Sequence, residues 1–462
     1  MTSAFTADDA GNGERLAHHY GDQLRYVHGR NRWYVWAGNR WTEDDTGHVD
    51  RCAKHTARAI FAEAAEEADA GRDKLAEQLG KHAARSVKHA SLRAMVSRGG
   101  TEPPIPVRPH DFDADPWMLN TPGGTVDLRR GKLLPHRRED LLTKLAGGTV
   151  TDDLLASEDP YPACPTFERF LQQVLPDDEV RTFLQRLVGQ TLVGEVREHV
   201  LPVLWGDGAN GKSTLVGALH QALGDYCQMA PASLLVATGG HDGPTPELLR
   251  LRGARLVVAS ETDSSARLDE ATVKQLTGGD RLVARMPYGR DFEEWDPTHS
   301  VLLVTNHKPV VRGTDTGIWR RLLLIPFDQT IPTDQRDADL PAKLAAEADG
   351  ILAWAVHGAR QWHADGLNPP GRVSAATEVY RAEMDVIGAW MADCCVQVHG
   401  ASAGSTDLHR SYANWCRDNG EGELSQKRFG PELERRGFTK DRDPASGRVV
   451  YRGLGLAART VI

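Results

Sequence analysis

The stretch VLPVLWGDGANGKSTLVGALHQAL, residues 200–223, decides how the rest of the chain is read. An apolar run that reads as a buried strand passes into a glycine-rich turn and then a helical pattern, and Gly206 to Ser213 fits G-x-x-x-x-G-K-[ST] without a mismatch. Holding a polyphosphate calls for this spacing. Glycines let backbone N–H groups converge on phosphate oxygens, and the helix N-terminus adds its dipole. The residues expected to line the loop are Gly206, Asp207, Gly208, Ala209, Asn210, Gly211, Lys212, Ser213 and Thr214, with Lys212 at the terminal phosphates of ATP and Ser213 on Mg²⁺.

Downstream, short apolar strands alternate with helices to about residue 328, the pattern of a sheet covered on both faces. The strand at 256–259 ends just before Glu261, a carboxylate expected to orient and activate the attacking water and to help hold the metal. Ser260 stands where such sites often carry a first acid, and Asp263 is the reserve candidate. The next strand, 301–304, delivers Thr305 and Asn306 to the same edge, where an amide can hold the water or sense the γ-phosphate. Arg320 and Arg321 open a further apolar strand, badly placed for their own chain's nucleotide and well placed for a neighbour's; Arg321 is slightly favoured. Between Glu261 and Asn306 lies VKQLTGGDRLVARMPYGRDFEEWD, read as a helix ending at Gly278-Gly279 and then a hairpin. Lys274, Arg281, Arg285 and Arg290, with Tyr288 near the tip, suit it to gripping a phosphate backbone.

The flanks are read more coarsely. Trp33, Trp36 and Trp41 suggest a small packed sheet, and the Ala/Glu/Lys stretch near 50–95 reads as helix. A proline-rich break at 101–117 precedes Pro122-Gly123-Gly124, expected as a tight turn between short strands. Asp111, Asp113 and Asp115 within that break are taken as solvated loop acids rather than a two-metal site. Two helices are expected over 165–193, a helix or helix pair ending at Gly366, and another helix to about Cys395. Residues 400–405, GASAGS, read as a linker. The final segment reads as helix, turn, helix and strand pair, an order that suits a winged helix, with Lys427, Arg428, Arg435 and Arg436 on its second helix. From residue 425 onward nine basic residues face four acidic ones, so duplex or origin DNA is the expected ligand there.

Bulk properties set the limits. The 462 residues exceed one compact core, and no run of about 18 apolar residues could cross a bilayer. The amino terminus lacks the basic start and apolar stretch of a secretory leader, so a cytoplasmic setting is expected. A net charge of -9 does not exclude nucleic acid, because a ring needs positive charge only along its channel. The six cysteines have no zinc-ribbon or disulfide-scaffold spacing and are expected as reduced thiols; Cys394, Cys395 and His399 are rejected as a metal set.

The order of these blocks resembles the superfamily 3 helicases, specifically the phage/plasmid primase family and the poxvirus-type nucleoside triphosphatase/primase proteins, a branch of the AAA+ ATPases. GDGANGKST is similar to their Walker A, LVVASETD to their Walker B, VKQLTGGDRLVAR to their extra motif, LLVTNHKP to their sensor motif and GTDTGIWRR to their arginine-finger segment. EADGILAWAVHGARQW and NTPGGTVDLRRGKLLPH resemble the flanking helical and helicase-associated segments, so the likeness covers most of residues 25–395. It implies an α/β fold: a P-loop AAA+ motor with an N-terminal α+β helicase-associated domain and a C-terminal winged helix. The expected division is 1–160, 161–197 as a helical lead-in, 198–330 as the motor, 331–398 helical and 405–462 winged-helix-like. The resemblance also implies a hexamer, Mg²⁺-ATP sites at subunit boundaries and 3′-to-5′ travel on single-stranded or forked DNA in a phage-, prophage- or plasmid-borne system of a bacterial cell. Larger members bear a primase or polymerase domain ahead of this region, whereas this chain begins almost at the helicase-associated segment; primer synthesis is therefore not expected of it, and a separate primase or polymerase is a candidate partner. The competing expectation is an ATP-dependent origin-binding initiator or helicase loader that does not unwind processively.

Overall fold

The computed structural model describes residues 5–237, 246–260, 266–285, 292–311, 316–444 and 446–457. The chain opens with α1 (Asp9–Tyr20), whose first turn is capped by Asp8 accepting from the Gly11 N–H at 2.8 Å. An antiparallel meander follows, β1 (Leu24–Val27), β2 (Arg32–Trp36) and β3 (Trp41–Glu43). Trp41 is fully buried, and Trp33 packs on Tyr26 with ring centroids 4.7 Å apart. The stretch read as helix over 50–95 is three helices, α2 (His48–Asp69), α3 (Asp73–Ser86) and α4 (His89–Gly99). Gly71, at φ 72°, adopts a left-handed turn that no other residue type takes without cost and so ends the first. A second meander, β4 (Met118–Thr121), β5 (Gly124–Asp127) and β6 (Lys132–Leu134), turns at Pro122-Gly123, and α5 (Asp152–Ala156) follows. The three aspartates just before it are partly exposed loop acids, and each is also held by a partner of its own. Asp111 accepts from the Arg108 N–H, Asp113 from the Thr143 N–H and hydroxyl, and Asp115 from both prongs of Arg129 at 2.8 and 2.9 Å.

Two amphipathic helices, α6 (Pro165–Val174) and α7 (Asp178–Thr191), bring the chain to a parallel sheet. Its elements are β7 (Leu201–Trp205), α8 (Lys212–Leu223), β8 (Cys227–Pro231), α9 (Pro246–Leu249), β9 (Leu256–Ser260) and α10 (Glu270–Leu276). A hairpin, β10 (Leu282–Ala284) with β11 (Glu293–Trp295), interrupts it before β12 (Ser300–Thr305), α11 (Thr316–Trp319) and β13 (Leu322–Pro326). The five strands run in the order β13-β7-β12-β9-β8, all parallel, with β7, β9 and β12 nearly continuous in buried apolar residues, as double-sided cover requires. The connection from β7 runs to β8 at one edge of the sheet and that from its neighbour β12 runs the other way to β13, so the carboxyl ends of β7 and β12 open a crevice of the kind in which α/β sheets bind ligands.

Two buried polar residues stand at the start of strands in this sheet, and only the first braces it. Arg255, just before β9, sends its guanidinium to the carbonyls of Leu192 and Met118, the latter at 2.6 Å, and lies over the Tyr226 ring at 4.5 Å. Tyr226 in turn accepts from the Asn120 N–H at 3.1 Å, so the second meander is fastened to the sheet's entry edge. His299, just before β12, is 1% exposed with neither ring nitrogen hydrogen-bonded, and burial pushes its imidazole down from 6.5 to about 4. The unfolded chain then binds a proton that the folded one refuses. Stability from this group is fully present above pH 6.5 and is lost as pH falls toward 4, by about 3 kcal/mol in all. Urea unfolding at pH 7.5, 6 and 5 should show that slope, and His299→Leu should flatten it; an equal slope in both would sink the assignment.

Beyond the sheet come α12 (Leu340–Ala346), α13 (Ala348–Asp365), α14 (Gly371–Glu383) and α15 (Val386–Cys394). α7 and α13 meet backbone to backbone: a Cβ at Gly189 would stand 2.1 Å from the Ala359 nitrogen, and one at Gly358 2.0 Å from the Gln185 carbonyl. Short β14 (Cys395–Val396) and β15 (Ser402–Gly404) precede α16 (Ser405–Asn419), α17 (Gln426–Arg435), β16 (Thr439–Arg442), β17 (Val449–Arg452) and β18 (Gly455–Leu456). The linker expected at 400–405 is therefore corrected. Ser402–Gly404 pairs with Val450–Arg452 as an edge of the β15-β17-β16 sheet, because nonlocal ladder bonds override a flexible composition. Likewise α15, grouped in sequence with the helices before it, buries Ile387, Trp390 and Met391 among Leu408, Tyr412, Phe429 and Tyr451 of the C-terminal core. Among the described residues no helix is long and apolar enough to cross a membrane, no three His, Cys, Asp or Glu residues gather as metal ligands, and none of the six cysteines forms a disulfide.

Candidate nucleotide site and nucleic-acid surfaces

Parallel pairing places four strand ends along one edge. Thr305 and Pro326 both stand opposite Trp205, and Val304 stands opposite Ser260. The chain leaving Trp205 is the glycine-rich loop, whose glycines are there for space as much as for turning. A Cβ on Gly206 would lie 2.3 Å from the Phe327 carbonyl, and one on Gly211, at φ 85°, 2.6 Å from Val174 Cγ1. Gly208 and Ala209 also take positive φ. Asn210 is buried and donates from Nδ2 to the Phe327 carbonyl at 3.1 Å, which fixes the loop to the end of β13.

Lys212 begins α8 and is buried to 4% exposure; its Nζ donates to the Gly206 carbonyl at 2.6 Å and to Asn210 Oδ1 at 2.9 Å. Burial holds its ammonium below the ordinary lysine value, and the charge of Asp207 works against that shift. Ser213 is exposed at the helix start, open to an incoming Mg²⁺, which takes few protein ligands and needs no cluster of acids. Thr214 reaches a cavity of about 600 Å³ shared by Arg169, Phe170 and Gln173 of α6, the loop at Ala209 and Gly211, and Arg336 and Leu340. α6 is held over this cavity by Glu347, whose two oxygens accept from the Thr166 and Phe167 N–H groups at 2.9 Å. These cavity residues carry no spacing that marks them in the sequence, since they come from three segments joined only by folding.

The other candidates divide. Asn306 follows β12 next to the loop's own strand and is exposed toward that edge. Glu261 and Asp263 lie outside the described residues; Ser260, just before them, ends the strand beside β12. Arg320 and Arg321 stand at the opposite end of β13, a strand's length or roughly 16 Å from the loop edge. Arg320 is exposed, while Arg321 donates from one terminal nitrogen to the His199 carbonyl at 3.2 Å and has a buried Nε without a partner. The structure thus brings Lys212, Ser213 and Asn306 together and leaves both arginines apart from them.

The hairpin pairs Leu282–Ala284 with Glu293–Trp295. Tyr288 and Arg290 at its tip lie outside the described residues. Arg285 is exposed with its guanidinium 5.2 Å from the Phe292 ring centroid, and Phe292 itself is 58% exposed. Lys274, in the last turn of α10, is half-buried. Arg281 is bound by Asp296 and Glu294, so it adds less free positive charge than its sequence position suggests. Glu293 at the hairpin's base is shared by Arg252 at 2.7 Å and Arg30 of the N-terminal region at 3.1 Å. In the C-terminal unit Lys427 and Arg428 are exposed in the first turn of α17. Arg435 pairs instead with Glu432, and Arg436 turns back onto Asp385.

Similarity to known proteins is consistent with this layout. Residues 13–176 match the family model described as "D5 N terminal like". A "Putative helicase" of Acanthamoeba polyphaga mimivirus is 29% identical over 270 residues, covering 54% of this chain and 28% of that protein. A "Putative helicase" of Frog virus 3 is 25% identical over 340 residues, covering 68% and 35%. A "Putative primase" of African swine fever virus is 25% identical over 215 residues, covering 46% and 22%. The chain therefore spans about a fifth to a third of the length of these curated relatives. Among solved structures, the apo C-terminal region of NrS-1 superposes with a TM-score of 0.53 at 10% identity, covering 96% of this chain and all of that one, which is a likeness of fold.

Proposed function

We propose that this chain acts in DNA replication as a P-loop ATPase motor of the superfamily 3, AAA+ type, a helicase working as a hexameric ring that travels 3′-to-5′ on single-stranded DNA. The observation that carries the reading is the separation of its parts: Lys212, Ser213 and Asn306 gather at one end of the sheet, Arg320 and Arg321 at the other. An arginine so far from its own loop can reach a γ-phosphate only in an adjoining copy, which supports nucleotide sites shared across subunit boundaries. Bound Mg²⁺-ATP supplies the phosphoryl bond whose cleavage drives the cycle. Toward it Lys212 and the loop N–H groups would hold the terminal phosphates, Ser213 would face the metal, Asn306 would hold the attacking water and Glu261 would orient it. The cavity beside Thr214 would take the nucleoside of a nucleotide whose phosphates lie on the loop and Lys212. Lys274, Arg285, Tyr288 and Arg290 grip the strand in the channel, and Lys427 and Arg428 on a winged-helix-like unit meet duplex DNA. The names of the viral relatives support the helicase reading. They also include a primase, so primer synthesis belongs in the same trials; Asp111, Asp113 and Asp115, with separate partners, offer it no metal site here.

Forked DNA with a 3′ tail, Mg²⁺ and ATP should yield displaced strand, a 5′ tail should not, and mass measurement with ATP should report six copies. Hydrolysis and DNA binding without displacement would favour the origin-binding or loader reading instead.

A further inference from the structure

Trp205 closes β7 immediately before Gly206, and Asn306 leaves the neighbouring strand beside it. Two residues past Asn306, Lys308 reaches back across this edge. Its Nζ lies 4.4 Å from the Trp205 ring centroid and 5.9 Å from that of Tyr380, and donates to the two oxygens of Glu383 at 2.9 and 2.7 Å. The side chain is 14% exposed, so the cation is held over the indole rather than waving in water. Next in the chain, the Pro309 carbonyl accepts from the Tyr380 hydroxyl. The loop carrying Asn306 is thus pinned to the end of α14 at two points. α14 is itself fixed along β13, by Arg372 to Asp328 at 2.8 Å and by the Thr377 hydroxyl accepting from the Leu324 N–H at 2.9 Å.

The same helix end faces the other way two residues later. Asp385 caps α15 by accepting from the Gly388 N–H at 2.9 Å, and it is gripped by both terminal nitrogens of Arg436 at the end of α17, one of them at 3.0 Å. Ion pairs still open to water on one side add little stability, so two carboxylates separated by one residue and committed to opposite sides point to orientation instead. We propose that Lys308 is a positioning residue for the nucleotide site, setting Trp205 and Asn306 against α14, and that the Glu383–Asp385 joint makes that setting answer to the C-terminal unit when it engages DNA.

The proposal rests on the motor reading, and its test separates the two. Steady-state ATPase is measured with and without forked DNA on the full chain, with affinity for a fluorescent ADP analogue and melting temperature as readouts that need no turnover. Lys308→Met keeps the stem on Trp205 and removes the charge; kcat should fall about tenfold with KM and ADP affinity within twofold, and Lys308→Arg should restore most of it. Asp385→Asn keeps the cap and weakens the grip of Arg436; DNA-free kcat should stay within twofold while stimulation by DNA drops at least fivefold. Unchanged kcat in Lys308→Met, losses in kcat and ADP affinity together with melting temperature, or full stimulation in Asp385→Asn would each overturn the proposal. A wild-type chain that hydrolyses no ATP would instead overturn the motor reading, and this proposal with it.

Discussion

Lys212→Ala should reduce ATP hydrolysis by at least about a hundredfold, the size of loss typical when one preorganised donor to a developing charge is removed. The lysine is buried and already aimed, its Nζ held between the Gly206 carbonyl and Asn210 Oδ1, so little reorganisation precedes its contact with phosphate. Asn210 stays tied to Phe327 in the variant, and the loop keeps its shape. Phosphate release with Mg²⁺-ATP, alongside an unchanged melting temperature, checks this. Hydrolysis within tenfold of wild type would mean that the loop is not the working site.

Arg255→Ala should cost about 3–5 kcal/mol of unfolding free energy, the largest stability loss expected of any polar residue discussed above. The substitution strands the buried carbonyl of Leu192 and the partly buried one of Met118 and takes the cation off Tyr226, all at the seam between the second meander and the sheet. Burial alone disfavours that charge, which is why the site has two carbonyls and a ring face around it. Arg255→Lys should recover only part of the loss, because an ammonium cannot fork to both carbonyls and stack at once. Urea unfolding at pH 7.5 reads both variants, and an unchanged midpoint for alanine would refute the brace.

What could be read in the sequence follows how local its cause is. The phosphate loop was legible because its glycines, lysine and flanking apolar runs are contiguous, and the hairpin because Leu282–Ala284 and Glu293–Trp295 flank an obvious turn. The break at Gly71 left a visible mark that the strong helical composition around it masked. Lys308, Trp205 and Glu383 left none: they are scattered along the chain and meet only once the sheet has formed. The same holds for the cavity behind Thr214 and for Ser402–Gly404, whose small residues signal flexibility until Val450–Arg452 arrives to pair with them.

That pairing has a practical side for anyone dividing the chain. A truncation started at the glycines near residue 400 would strip α15 from the C-terminal core and expose Tyr412, Phe429 and Tyr451 to water, leaving a sticky fragment. The natural seam lies ahead of Asp385, and a piece cut there carries its own roof with it.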